Sequence, residues 1–335
     1  MLVTAILLAL KLIGVTVTTH AISVVLCTYN GERFLPELLA SVQRQSLPPA
    51  ELIWCDDGSS DATVEIAQKF IKTATFPVRF SINPHKLGPM KNFSHALSRV
   101  TGTHVALCDQ DDSWLPEKLA RLADCFSDPN VKLVYSDSLL VDGNLNSLGQ
   151  VFLKRRGVGH FKKDSLPYLL FQNTVSGCAC MFDAELLSVA LPIPDEAIMH
   201  DWWIALIASA HGEVKHINAV TILYRQHGGN VLGGSAGRYS AENLRASGVP
   251  FGLRREAQRK FTASANQAIA LRGRLEKSRV PPPESLSAFV KALDKSRPEL
   301  WQTCRRFDIQ RGDWIRNLSF TLGLFSHDSN TLIRN

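Results

Sequence analysis

Residues 104–114 read HVALCDQDDSW. A short apolar run gives way at Cys108 to three carboxylates within four positions, and a tryptophan follows. One reading is a strand ending in a solvated turn, with Asp111 or Asp112 capping a helix that starts near Pro116. The other is a strand whose carboxyl end carries a cation site.

The neighbouring sequence repeats the transition. ISVVLC (22–27) runs into TYNG (28–31), and ELIWC (51–55) runs into DDGSSD (56–61). Continuous β-branched runs of this length are expected of strands buried on both faces. Between them lie helical stripes: Leu35, Leu38, Leu39 and Val42; then Val64, Ala67 and Ile71 after a cap at Ser60 or Asp61. VRFSI (78–82) supplies a third strand, and Phe93, Ala96, Leu97 and Val100 a third stripe. Strand and helix alternating at these lengths predict an α/β fold, a Rossmann-like, mostly parallel central sheet flanked by helices. Such sheets bind ligands at the carboxyl ends of their strands. Three polar strand exits in one sheet therefore read as a single site.

No GxGxxG or GxxxxGK[ST] occurs, so glycine-rich backbone alone does not cradle phosphates here. A diphosphate then needs another neutralising partner. A divalent cation, Mg2+ or Mn2+, held by one or two carboxylates supplies it. Asp109 and Asp111 suit that task if the exit stays extended, since alternate residues then point the same way.

Past residue 140 the pattern loosens. KLVYSDSLLV (132–141) reads as a strand leading into a hairpin, 164–172 and 201–210 as helical, and AVTILYRQH (219–227) as a strand. Beyond 240 long helix-forming stretches break at Pro281–Pro283. The organisation expected is an N-terminal extension (1–20), a catalytic α/β domain (21–235) and a basic, mainly helical C-terminal region (236–335). The extension is interrupted by Lys11 and lacks a cationic leader, which leaves a membrane anchor or a displaced start site open.

Composition narrows the partners. With 45% hydrophobic and 20% charged residues the chain is not of the disordered class. The net charge of +6 is uneven: residues 231–335 hold 18 Lys and Arg against 9 Asp and Glu, a balance of +9. That favours an anionic partner, and peripheral contact with an anionic membrane fits it, helped by the apolar LSFTLGLF (318–325). Packing of these helices on the catalytic body, or an oligomer contact, explains the same residues. Without zinc-finger spacing or an aromatic-interleaved basic strand, no nucleic acid is expected. Seven cysteines without framework spacing point to a reducing, cytoplasmic setting, peripheral to the inner membrane if the lipid contact holds.

Taken together, VVLCTYNG, IWCDDGSSD, LGPMKNF, CDQDD and HDWW resemble family-2 glycosyltransferases of the GT-A fold over roughly residues 20–235. The resemblance is strongest to the rhamnosyltransferase-like members of bacterial surface polysaccharide biosynthesis, of the O-antigen and lipopolysaccharide type. It implies an inverting, metal-dependent transfer of a sugar, such as L-rhamnose from dTDP-rhamnose, to a saccharide or lipid-linked acceptor. Thr28, Tyr29 and Asn30 would line the nucleotide pocket and Asp57 would bond a pyrimidine base. Gly88, Lys91 and Asn92 would close over the base and ribose. Asp109 would touch the ribose or the metal shell, with Gln110 beside the nucleotide, and Asp111 and His227 would bind the cation. Asp57 is also readable as a turn residue, and His227 as a satisfied polar group.

In MHDWWIALIA (199–208) two adjacent tryptophans on a helix lie ~100° apart, so one can pack inward while the other lines a groove. An aromatic face beside a carboxylate suits a sugar. The resemblance makes Asp201 the general base, with Trp202, Trp203 and Gly177 on the acceptor side; a helix cap is the rival reading of Asp201. His200 stands where the commonest family pattern has an acid, a variant of the rhamnosyl-like subset. Two other classes compete: a non-catalytic nucleotide-sugar sensor or scaffold, and an oxidoreductase, which the missing glycine fingerprint disfavours.

Overall fold

The computed structural model describes residues 20–155, 165–227, 250–309, 314–326 and 332. The expected extension 1–20, apart from His20, and the first part of the C-terminal region lie outside the described residues.

Strands β1 (Ile22–Thr28), β2 (Glu51–Asp56), β3 (Val78–Ile82) and β4 (His104–Cys108) alternate with helices α1 (Leu35–Gln43), α2 (Thr63–Ile71) and α3 (Pro89–Leu97). There follow β5 (Ser113–Trp114), α4 (Lys118–Ala123), β6 (Val131–Val141), β7 (Ser147–Val151), β8 (Cys180–Asp183), α5 (His200–His211) and β9 (Glu213–Arg225). The sheet order is β3-β2-β1-β4-β8-β6-β9-β5, with β7 beside β6. β1 pairs in parallel with β2 and with β4, β2 with β3, and β6 with β9, while β5, β7 and β8 enter antiparallel. The chain leaves β1 toward β2 and returns to its other side as β4, so the sheet's switch point lies between the exits of β1 and β4.

Period-two alternation divides the core. Val24, Leu26, Leu52, Trp54, Ala106 and Cys108 face α1 and α2. Val25, Ile53, Cys55, Val105 and Leu107 face α3 and α5. The stripe expected in α2 is rotated: Thr63, Ala67 and Phe70 are buried, and Ile71 is exposed. Thr63 turns inward because its hydroxyl accepts the backbone N–H of Gly31 (2.9 Å), which sets the phase of the helix.

The C-terminal helices α6 (Pro250–Lys277), α7 (Glu284–Ala292), α8 (Arg297–Arg306) and α9 (Trp314–Ser326) share the α5-side core. Phe171 meets Phe261, Phe289 and Phe320 at centroid distances of 5.2, 5.3 and 4.7 Å. Part of the apolar 318–325 stretch is therefore spent on the body. Phe320 and Leu324 are buried, and Gly323 lets α9 approach α6 so closely that a Cβ would lie 2.6 Å from the Ala257 carbonyl oxygen. Leu322 and Phe325 stay exposed. Among the described residues no helix is long and apolar enough to cross a membrane. All seven cysteines are free, and burial pushes the thiols of Cys27, Cys108, Cys178, Cys180 and Cys304 up, which makes them poor nucleophiles.

Candidate active site

The exits of β1 and β4 are stitched together by Gln110. Its Oε1 accepts from Tyr29 N (2.8 Å) and its Nε2 donates to Tyr29 O (3.1 Å). Gly31 permits this approach, since a Cβ there would lie 2.6 Å from Gln110 Oε1. Asn30 holds a left-handed backbone (φ 48°) and its Oδ1 accepts from Ser60 N (2.9 Å), a conformation asparagine tolerates. A cavity of about 300 Å³ opens here, lined by Tyr29, Asn30, Arg33, Gln110, Asp111 and His227 among others. Tyr29 offers it an exposed ring, with the Lys86 ammonium 3.5 Å from the ring centre.

Several residues expected to touch the nucleotide spend their side chains inside the protein. Thr28 is buried: its hydroxyl donates to Asp56 Oδ2 (2.7 Å) and accepts from Trp54 Nε1 (2.9 Å), so it faces the core rather than the cavity. Asp57 is also buried, and its carboxylate accepts from Leu87 N (2.7 Å), Gly88 N (2.8 Å) and Asn83 Nδ2 (2.9 Å). Three of its roughly four acceptor positions are thus taken in bracing the 83–88 loop. Asn92 is buried, bonding Asn83 Nδ2 and the Cys55 carbonyl. Gly88 fills the position its φ of 78° demands. Lys91 lies at the surface in an exposed ion pair with Asp195 (3.3 Å).

The acid loop is a turn at 110–111, not an extended exit. Asp111 and Asp112 therefore diverge, and neither caps α4. Asp111 Oδ2 lies 2.8 Å from His227 Nε2, which brings together two residues 116 apart in sequence. Asp112 is fully buried and its Oδ1 accepts from Arg225 N (3.1 Å). Arg225, almost wholly buried, locks the loop: Nε donates to Asp111 O (2.8 Å), Nη1 to Gly143 O (2.5 Å) and Nη2 to Glu37 Oε2 (2.6 Å).

Asp111 and His227 fit a divalent cation. Two donors about 2.1 Å from an octahedral ion and at right angles are about 3.0 Å apart, close to the spacing seen. An imidazole and a carboxylate together suit Mn2+ at least as well as Mg2+. A second group, Asp109, Asp112 and Cys178, has ligand atoms within 4.8 Å of one another. Here Asp112 Oδ1 accepts from Arg225 N while Asp112 Oδ2 is buried without a hydrogen-bond partner, and burial raises the Cys178 thiol, which would have to shed its proton to bind an ion.

Burial, then Asp111 and Asp201, push the carboxyl of half-buried Asp109 up to about 7; burial likewise raises Asp112. A carboxyl raised in the fold binds its proton more tightly there than in the unfolded chain, so stability falls as pH climbs from about 4 through the folded value. We expect the melting temperature of metal-free protein to drop between pH 5 and pH 8, and millimolar Mn2+ to flatten that slope. A thermal-shift series across pH, with and without Mn2+, measures both.

Asp201 is the second residue of α5, where the helix N-terminus favours negative charge. Its Oδ1 accepts from Trp202 N (2.6 Å) and Asn173 Nδ2 (3.2 Å), and its Oδ2 from Gly177 N (3.1 Å). Gly177 serves this contact: a Cβ would lie 3.2 Å from Asp201 Cβ. The helix cap is Met199, so Asp201 is not the cap. His200 stacks on Phe93 (4.0 Å, 16°), and burial lowers its pKa and keeps the ring neutral. The tryptophans part as their 100° offset requires. Trp203 is core, its Nε1 bonded to Ala190 O (3.0 Å), which removes it from the acceptor side; Trp202 is half-buried, its Nε1 on Leu169 O (2.6 Å).

Sequence reasoning missed Arg225 and Asn173. Both lie within four residues of positions already named, His227 and Gly177, yet their roles depend on partners that only the fold brings near.

Residues 23–187 match the family model of glycosyl transferase family 2. An uncharacterized glycosyltransferase of Nostoc sp. is 27% identical over 62% of this chain and 66% of its own. The dTDP-rhamnosyl transferase RfbG of Shigella flexneri is 25% identical over 62% of this chain and 73% of its own. The mannosyltransferase PcManGT of Pyrobaculum calidifontis, solved with GDP-Man and Mn2+, superposes with a TM-score of 0.50 at 18% identity, over 92% of this chain and 86% of its own. The chain spans 66%, 36% and 48% of the first three curated relatives it matches. Residues 23–187, set in a GT-A architecture, thus form a glycosyl transferase family 2 domain.

Proposed function

We propose that the protein is an inverting glycosyltransferase that moves a sugar from a nucleoside-diphosphate donor to a hydroxyl of a saccharide or lipid-linked acceptor. The observation that carries this reading is the pairing of two prepared groups at one end of the sheet. Asp111 with His227 stands on one side, the thrice-bonded carboxylate of Asp201 on the other, and Asp109 lies within electrostatic reach of both Asp111 and Asp201.

Asp201 takes the proton from the acceptor hydroxyl as that oxygen attacks the anomeric carbon. The carbon–oxygen bond to the diphosphate breaks on the opposite face, the electron pair leaves with the diphosphate, and the anomeric configuration inverts. Asn173, Gly177 and Trp202 hold the carboxylate in place through three hydrogen bonds. A divalent cation held by Asp111 and His227 would offset charge on the departing diphosphate. Tyr29 presents a ring on which the base can stack, and Asp57 holds the 83–88 loop beside it.

The HDWW variant and the likeness to a dTDP-rhamnosyl transferase support a deoxyhexose donor such as dTDP-L-rhamnose, within polysaccharide biosynthesis. The +9 balance of residues 231–335, with Trp301, Leu322 and Phe325 exposed on α8 and α9, supports peripheral contact with an anionic membrane where lipid-linked acceptors reside.

One reconstitution tests the whole reading. Purified chain, Mn2+, a panel of nucleotide sugars and acceptor on anionic vesicles should release nucleoside diphosphate and form product of inverted anomeric configuration, read by NMR. Protein should float with the vesicles at low salt. Retained configuration, or no turnover with any donor that raises the melting temperature, defeats the mechanism; absence from the vesicle fraction defeats the membrane contact.

A further inference from the structure

Lys118, the first residue of α4, is completely buried. Burying an ammonium costs several kcal/mol unless it is paired and bonded. A methionine would fill the same space without that cost, so the charge itself needs a reason.

The contacts supply one. The Lys118 Nζ donates to the Cys178 carbonyl and lies 3.3 Å from the centre of the Trp114 ring. Trp114 is the second residue after Asp112, at the end of the acid loop, and its own N–H is fixed by Ser41 Oγ (3.0 Å). Cys178 is the middle residue of the 177–179 turn, whose first residue, Gly177, donates its N–H to Asp201 Oδ2. The ammonium also feels the carboxylate of Asp112. Acid loop, Trp114, Lys118, Cys178, Gly177 and Asp201 thus form one unbroken chain of contacts from the cation side of the cleft to the base side.

We propose that Lys118 is a positioning residue: it braces the 177–179 turn against the acid loop and so holds Asp201 in line with the Asp111–His227 pair. The inference rests on the reading of Asp201 as base. Lys118 touches no reacting atom. Its effect is registered in the transition state, where a displacement of about 1 Å can cost on the order of a hundred-fold in rate.

The test is Lys118→Met, which keeps volume and removes the bond and the charge. In folded variant, kcat should fall about ten- to a hundred-fold, while the donor KM and the Mn2+ affinity, read from free Mn2+ by EPR, stay within about two-fold. A kcat within two-fold of the parent overturns the proposal. So does a loss of Mn2+ affinity parallel to the loss of rate, which means general collapse of the site rather than misalignment of the base. Should Lys118→Met fail to fold, Trp114→Leu decides: the same split between kcat and KM supports the brace, and unchanged kcat overturns it. Asp201→Asn run alongside separates the two readings. If that variant is inactive while Lys118→Met is normal, only the brace fails; if it is fully active, the base assignment fails and the brace with it.

Discussion

Asp201→Asn should abolish most of the transfer while leaving the donor site in place. General-base removal costs about 10²–10⁴ in rate, and the upper part of that range is expected because, among the described residues, no other carboxylate on the acceptor side is positioned by three donors. Asparagine matches the volume, and its amide oxygen can keep the bonds from Asn173 and Trp202. Its amide nitrogen then faces the N–H of Gly177 and loses one hydrogen bond, about 1 kcal/mol of stability. The predicted pattern is therefore a small drop in melting temperature, a donor KM within about three-fold of the parent, and a kcat lower by at least a hundred-fold. Release of nucleoside diphosphate under saturating donor and acceptor measures it. Full turnover in a folded Asp201→Asn protein removes the base from the mechanism, whatever the cation does.

The fold was legible because its strands are buried on both faces. Runs such as VVLC (24–27) and VALC (105–108) have no polar interruption, and each ends abruptly at a polar strand exit. The motifs named Asp201, Asp111 and His227 as a proposed site, and the structure brings Asp111 and His227 to 2.8 Å. What escaped is the division of labour among polar side chains. Thr28 stands in the right stretch, but the indole of Trp54, 26 residues on, needs an acceptor and takes its hydroxyl. Asp57 reads as a base contact until the amides of Leu87 and Gly88, about 30 residues away, claim its oxygens. The DQDD turn illustrates the same limit. Strand alternation would have grouped Asp109 with Asp111, whereas the reversal at 110–111 sends Asp112 inward to Arg225. Such choices are made by long-range demands for hydrogen-bond partners, which a local pattern does not encode.

Arg225→Met should do the second-greatest damage, and to two properties at once. The guanidinium is 1% exposed, and it satisfies the carbonyls of Asp111 and Gly143 while lying 4.4 Å from the centre of the Phe34 ring. Breaking a buried charge network costs about 3–5 kcal/mol, on the order of 10 °C in melting temperature for a chain of this length. The ion pair with Glu37 contributes little to that sum, because Glu37 is half exposed and exposed pairs are worth about 0–1 kcal/mol. The larger loss is geometric. Arg225 fixes the backbone of Asp111 on one side, and the chain continues to His227 two residues later, so both halves of the cation pair hang from it. Mn2+ affinity is therefore expected to fall at least about ten-fold, as it does when groups that orient metal ligands are removed. Arg225→Lys discriminates between charge and shape. A lysine retains the cation but lacks the planar fork that reaches two carbonyls and a carboxylate together, so it should lose nearly as much Mn2+ affinity as methionine does. If lysine instead restores both the melting temperature and the Mn2+ affinity, the acid loop is held by charge alone, and its geometry must be set elsewhere.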